Sequence, residues 1–193
     1  MKNEIERKTE HPIDNIFVKR WSPRAMQPTP FTKEDLMTLF EAARWAPSSY
    51  NNQPWKFVYA MHGTENWQKF LDIMVDFNKL WAQHAAALIL VCSRKTFEHN
   101  NKPSRTHEFD AGAAWMSLAL QASMKGFAAH GMEGFDYEKA RNVFHVPEEY
   151  DIDAIIAVGR LGKKESLPEQ MQQNEFPNQR KKVSEFVMEG SFR

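Results

Sequence analysis

The sequence predicts one layered domain of mixed helices and strands, α+β or α/β, and three observations carry that expectation. Segments with apolar residues at helical spacing alternate loosely with short branched or aromatic runs, the pattern of helices packed on a sheet. The run from Ala86 to Cys92 is continuously apolar between polar neighbours, as a strand buried on both faces must be. A length of 193 residues with 42% hydrophobic and 12% aromatic side chains fills one core, with chain left for an arm.

Thr32 to Ala46 reads as the clearest helix. Thr32 and Asp35 form a capping pair, while Leu36, Leu39, Phe40 and Ala43 fall on one face. Pro47 stops it. WKFVYAM, Trp55 to Met61, is a strand by its aromatic and branched content. After Gly63, a second helix is expected from Thr64 to Ala82, with Trp67, Phe70, Leu71, Met74 and Trp81 along one stripe. The buried central strand Ala86 to Cys92 follows, then the polar loop SRKTFEHNNKPSRT. An alanine-rich helix from His107 to Lys125 ends at Gly126. FAAHGM is a short strand leading through a GFD turn to a helix from Asp136 to His145, and DAIIAVGR is the last strand. From Lys163 onward the chain is polar, contains Pro168 and Pro177, and cannot form a core alone. It is either disordered or laid on another surface.

Lys plus Arg and Asp plus Glu number 25 each, so no global field attracts nucleic acid or an anionic membrane. Cys92 is the single cysteine, which excludes an intrachain disulfide and suits a reducing compartment. It closes an apolar run, where a thiol packs rather than reacts. The opening MKNEIERKTEHP is charged, without the apolar core of a signal peptide. No apolar stretch approaches the ~20 residues of a membrane helix. The expectation is a soluble, cytoplasmic protein.

The common catalytic signatures are missing. There is no G-x-G-x-x-G, phosphate loop, H-E-x-x-H or G-x-S-x-G, and the seven histidines do not cluster at metal-ligand spacing. No metal site and no side-chain catalytic group is expected. Four polar segments at element ends remain. In KRWSPRAM, Pro23 forces an extended or turned backbone. Arg20, Ser22 and Arg24 would then line one side over roughly 13 Å at ~3.3 Å per residue. Two guanidinium groups and a hydroxyl suit a ligand with a phosphate at one end and an electron-accepting group further along, although a solvated basic turn has the same composition. WAPSSYNNQPWKF has ordinary turn residues, but its amides offer paired donor and acceptor atoms such as a flavin pyrimidine edge requires. HGMEGFD places two glycines where backbone can approach a flat ligand, with Asp136 as a helix cap. NQRKKVSEF carries Arg180, Lys181 and Lys182, a composition shared by solvated basic runs.

In this order the four segments resemble the nitroreductase family of flavoproteins. R-x-S-x-R, P-S-S-x-N-x-Q-P-W, M-E-G-F-D and a trailing Arg recur there, over roughly residues 14 to 187 of this chain. The resemblance implies an α+β sandwich with a central, mostly antiparallel sheet flanked by helices. It also implies a homodimer with FMN in clefts between subunits, residues 1–162 forming the domain and 163–193 an arm exchanged with the partner. Arg20, Ser22 and Arg180 would hold the phosphate and ribityl chain, and Arg24 would sit near the pyrimidine end of the ring. Asn51 would bond the pyrimidine edge, with Pro47, Ser48 and Ser49 shaping its loop. Met132, Glu133 and Gly134 would pack on the ring. Trp21 belongs with these binding residues, although it and Pro23 fill positions that commonly carry other types. Trp115 and Met116 stand where smaller or polar residues are usual, which bears on the dimer core or flavin back wall.

The implied activity is reduction of nitroaromatics, quinones or similar small acceptors with NADH or NADPH, by a ping-pong mechanism. A flavin-sequestering protein, a relative acting on one metabolite, and a structural dimeric module are the alternatives. Only the Ser93 to Thr106 loop offers a substrate lid.

Overall fold

The computed structural model describes residues 7–192, and the first six residues, read as charged and without an apolar signal core, lie outside them. The chain forms α1 (Asn15–Lys19), β1 (Met26–Gln27), α2 (Lys33–Arg44), β2 (Trp55–Met61), α3 (Trp67–Ile73) and α4 (Asp76–Ala82). β3 (Ala87–Arg94), α5 (His107–Met124), β4 (Phe127–Met132), α6 (Tyr137–Phe144), β5 (Tyr150–Leu161) and α7 (Glu169–Gln172) follow. This is the α+β sandwich, and every strand pairing is antiparallel.

β3 lies between β2 and β5, and β4 covers the other edge of β5. Arg160 pairs with Gln27 on one side and Phe127 on the other, so β1 continues the line of β3 along β5. The two-residue period of β3 divides its apolar run between two cores. Leu88, Leu90 and Cys92 face a cluster with Phe70, Trp81, Ile155 and Ala140, while Ala87, Ile89 and Val91 face Leu36, Leu39, Leu118 and Val158. Helices α2 and α5 thus cover one face, and α3, α4 and α6 the other. Cys92 is buried among these side chains, and desolvation pushes its thiol up to about 12, consistent with packing.

Thr32 caps α2 through a reciprocal capping box with Asp35, as its sequence predicts. One expectation is overturned. The helix expected from Thr64 to Ala82 is two helices, with Met74 and Val75 extended between them. The cause is tertiary. Val75 N–H donates to Gly134 O at 3.1 Å and Asp136 N–H to Ile73 O at 2.8 Å, so the chain leaves the helix to pair with the segment after β4. Helix α1, capped by Asp14, is too short to show a periodic stripe in sequence.

The tail does not leave the domain at once. Gly162 starts it against β1, where a Cβ would stand 3.2 Å from the main chain of Ala25 and Met26. Leu167 and Met171 then enter the first core. Beyond Glu175 the side chains of Phe176, Phe186, Val187 and Phe192 are exposed. No helix among the described residues is long and apolar enough to cross a membrane.

Candidate functional site

Arg20 ends α1 with φ −64° and ψ 127°, so the R-x-S-x-R segment leaves the helix extended. Arg20 Nη1 donates to Ser22 Oγ at 3.3 Å. Pro23 is buried, and its carbonyl lies 3.0 Å from His130 Nδ1 of β4, which fixes the segment on the sheet. The tail returns to the same place: Glu175 Oε1 accepts the N–H groups of Arg24 at 2.7 Å and Ala25 at 2.8 Å. Segments from both ends of the chain thereby meet at one edge of the sheet.

They line a cleft of about 300 Å³ formed by Arg7, Trp21, Ser22, Arg24, His130, Asn174, Phe176, Asn178 and Arg180. Among the described residues none that lines it carries a carboxylate. Arg20 stands half-buried beside it, its pKa lowered by burial and then by Arg180. Burial also pushes the His130 imidazole down, with Arg24 and Arg20 adding to the effect against the Pro23 and Ser22 carbonyls. His130 is therefore a neutral donor to Pro23, and the cleft's charge is guanidinium. Such a surface is built for an anion. Trp21 lines it beside Ser22 and Arg24, so the segment does not keep a strict two-residue alternation.

The P-S-S-Y-N-N-Q-P-W segment lies elsewhere on the chain. Its Ser49–Asn51 turn is held by Asp110, a buried carboxylate of α5 that accepts Ser49 N–H at 3.0 Å. Ser48 Oγ accepts Gln53 N–H at 3.0 Å. Tyr50, Asn51 and Gln53 have φ of 53°, 52° and 48°, a left-handed conformation that non-glycine residues adopt at a cost. Asn51 is thus turned outward, to line a second cleft of about 440 Å³ with Tyr50, Gln53, Lys56 and Glu98 among others. Pro47, Ser48 and Ser49 form its approach. The two clefts share no lining residue. Within one chain, Ser22, Arg24 and Arg180 come together and Asn51 remains apart.

Met132 is buried in the first core, so its side chain is committed to packing. Glu133 is exposed beside it. Gly134 is held from behind by Asn78, whose Nδ2 donates to Gly134 O at 3.0 Å. A Cβ at 134 would meet that nitrogen at 2.6 Å and Val75 Cγ2 at 3.0 Å, so a side chain here would have to displace the Asn78 amide. Phe135 N–H donates to Glu133 O at 2.8 Å, and the trans peptide then points Gly134 N–H away from that turn.

Ser93 and Arg94, expected in the loop, extend β3, and the loop from Lys95 to Thr106 is folded back on itself. Phe97 N–H donates to Lys102 O, and Glu98 N–H to Asn52 Oδ1 at 3.0 Å, so it leans on the Asn51 loop. Tyr50, Phe97 and His99 cluster there, with ring centroids 5.5–6.1 Å apart. A Cβ added at Gly131 would stand 3.4 Å from the Trp115 ring, and Met116 is exposed. Sequence reasoning overlooks Arg7, His130, Asn174, Glu175 and Asn178. His130 has a signal, as a polar side chain in an apolar strand. Arg7 and Glu175 look like any other charges in polar segments.

A sequence model of the nitroreductase family matches residues 17–160. A crystal structure of an oxidoreductase containing FMN has a TM-score of 0.93 at 41% identity, over 100% of this chain and 99% of that one. The oxygen-insensitive NADPH nitroreductase of Helicobacter acinonychis is 41% identical over 68 residues, 35% of this chain and 31% of that protein. An uncharacterised 15.4 kDa protein of Mycolicibacterium smegmatis is 39% identical over 82 residues, 42% of this chain and 54% of its own length. The chain therefore spans about half and about a third of the curated relatives it matches.

Proposed function

The chain belongs to the nitroreductase family, and from that premise we propose that it is an FMN-dependent oxidoreductase. It draws electrons from NADH or NADPH and reduces nitroaromatic, quinone or similar small acceptors. One observation carries the reading: Ser22, Arg24 and Arg180, from opposite ends of the chain, line one cleft without a carboxylate among its described residues, with Arg20 beside them. Arg20, Ser22 and Arg180 fit a phosphate dianion, the end of FMN that the R-x-S-x-R segment and the tail would hold, with Arg24 directed toward the ring.

FMN held by these residues would supply two-electron redox chemistry between the nicotinamide and the acceptor, as hydride equivalents with the acceptor's second proton drawn from solvent. The residues of the chain bind, orient and neutralise. Arg20, Ser22 and Arg180 hold the phosphate and ribityl oxygens. Arg24 places a cation at the pyrimidine end, favouring the anionic reduced state. Gly134 offers a main-chain N–H on a turn that Asn78 fixes from behind. Met132 supports that turn through its place in the core. Asn51 and the Pro47–Ser49 loop bond the pyrimidine edge. Because Asn51 lines a different cleft of the same chain, a homodimer that brings one subunit's Asn51 loop to the other's arginine cleft completes the site. In that dimer the arm beyond Glu175 packs on the partner subunit. Nicotinamide and acceptor occupy the same open face in turn, which gives ping-pong kinetics.

Anaerobic titration tests this. Purified protein should show a flavin spectrum of about one FMN per chain, bleach with NADH or NADPH, and recover colour with a quinone or nitroaromatic. Colourless protein that takes up no added FMN would refute it. Flavin that binds but is not reduced by either nucleotide would make this a flavin-storing protein.

A further inference from the structure

The arginine cleft has a wall that the R-x-S-x-R motif does not supply. Arg7 reaches it from the segment preceding α1, thirteen residues before Arg20. Its Nη1 donates to two main-chain carbonyls, Val18 O at 2.8 Å and Arg20 O at 2.7 Å. Those bonds close the end of α1 and brace the backbone on which Arg20 and Ser22 stand. Its Nε and Nη2 are withdrawn from solvent and have no hydrogen-bond acceptor among the described residues.

A guanidinium left with unsatisfied N–H groups in a buried setting is unfavourable unless an anion completes it. Among the described residues no carboxylate takes up that task. The described residues of the cleft wall carry none, and Glu175 gives one oxygen to the N–H groups of Arg24 and Ala25 while its other, buried oxygen meets no hydrogen-bond donor among the described residues. Glu10, three residues along, is bound to the N–H of Val183 at 2.6 Å. Arg7 instead faces like charge. Burial lowers its pKa first, and Arg180 and Arg20 lower it further, so three guanidinium groups share one small volume. Among the described residues this concentration of positive charge has no paired carboxylate, a setting that favours a multiply charged anion.

We propose that Arg7 is a phosphate-binding residue of the FMN site, delivered by the N-terminal segment and braced on the carbonyls of Val18 and Arg20. The proposal rests on the FMN reading above and adds a cation that the family-like motifs do not contain. The Glu10–Val183 bond gives the segment a second role, because it ties the N-terminal strand of the cradle to the tail that carries Arg180. Binding of the phosphate and ordering of both chain ends at this corner are thus one event.

The test compares FMN with riboflavin, which lacks only the phosphate, by fluorescence titration of flavin-free protein. Arg7→Gln keeps a donor for the main-chain carbonyls and removes the charge, while Arg7→Lys keeps the charge without the fork. Arg7→Gln should weaken FMN about tenfold or more and leave riboflavin within about twofold, with Arg7→Lys between it and wild type. Thermal melts of the flavin-free proteins should coincide within a few degrees. Equal losses for FMN and riboflavin would make Arg7 a structural brace and overturn the proposal, as would no loss for either. If wild-type protein binds FMN no better than riboflavin, the phosphate cleft itself is refuted and Arg7 with it. If wild type binds neither flavin, the FMN reading fails at its root.

Discussion

The carboxylate of Glu175 accepts the main-chain N–H of Arg24 at 2.7 Å across 151 positions of sequence. The same oxygen accepts Ala25 N–H at 2.8 Å, and the side chain is buried. The cationic segment and the tail are therefore one structural unit. An acceptor on buried N–H groups positions the backbone without neutralising the guanidinium groups that line the cleft.

Removing that acceptor leaves two buried donors unpaired. Glu175→Ala should lower the free energy of unfolding by roughly 2–4 kcal/mol, and Glu175→Gln by less because the amide oxygen still accepts. Urea unfolding of the three proteins measures this. The weaker tail attachment should also reduce the flavin retained on purification. A Glu175→Ala protein as stable as wild type would show that the tail docks through Leu167 and Met171 alone.

Arg24 lies with its guanidinium carbon 5.8 Å from the centre of the exposed Phe77 ring, so its position is held by packing as well as by Glu175. Arg24→Ala should lower the potential of the bound flavin and slow its reduction by NAD(P)H more than it weakens FMN binding. The lost charge-assisted contact is worth roughly 1.5–3 kcal/mol. Spectroelectrochemistry on fully occupied protein decides it, and an unchanged potential would remove Arg24 from the ring's pyrimidine end.

The tail divides at Glu175. Truncation after Gly162 removes two core side chains as well as the Arg24 anchor, and should destabilise the domain by several kcal/mol. Truncation after Phe176 keeps those contacts, so the protein should fold, lose most of its FMN and dimerise more weakly. Arg180→Ala alone should weaken FMN and leave the dimer intact, since Val183, Phe186 and Val187 remain. Sedimentation velocity with flavin absorbance separates these outcomes. A fully yellow dimer after truncation at Phe176 would make the distal tail dispensable.

A pH effect follows from the bulge between β3 and β5. Val91 pairs with Ala154 and Cys92 with Ile152, which leaves Asp153 as the extra residue, directed to Ser93 Oγ at 2.9 Å. Ser93 also meets His107 Nδ1 at 2.8 Å. Burial pushes the Asp153 carboxyl up to about 7, against the Ser93 hydrogen bond and with help from Glu108 and Asp151. An unfolded Asp titrates near about 4, so across that interval the native chain holds a proton that the unfolded chain has lost. Stability from this group is greatest at low pH and declines as pH rises from about 4 to about 7, by on the order of 2–4 kcal/mol. Asp153→Asn should remove that component. Urea midpoints of both proteins between about pH 5 and 8 give the difference, and parallel profiles would reject the assignment.

The sequence by itself determined the elements whose information is local. The capping box at Thr32 and Asp35, the two-face burial of β3 and the stop at Gly126 depend on neighbours a few residues apart, and each stands where expected. The order of four polar segments also pointed to the family, because a motif needs only residue types and spacing. Tertiary structure alone decided the rest. The pairing of Ile73 and Val75 with the Gly134 turn breaks a helix whose stripe is continuous in sequence, since main-chain bonds to a distant segment replace those lost at the break. The union of Arg7, Arg24, Glu175 and Arg180 at one corner depends on antiparallel strands returning both chain ends to the same edge. The separation of Asn51 from that corner has the same origin: the sheet and α5 stand where they do because of packing, and no local pattern encodes which polar loops then share a cleft.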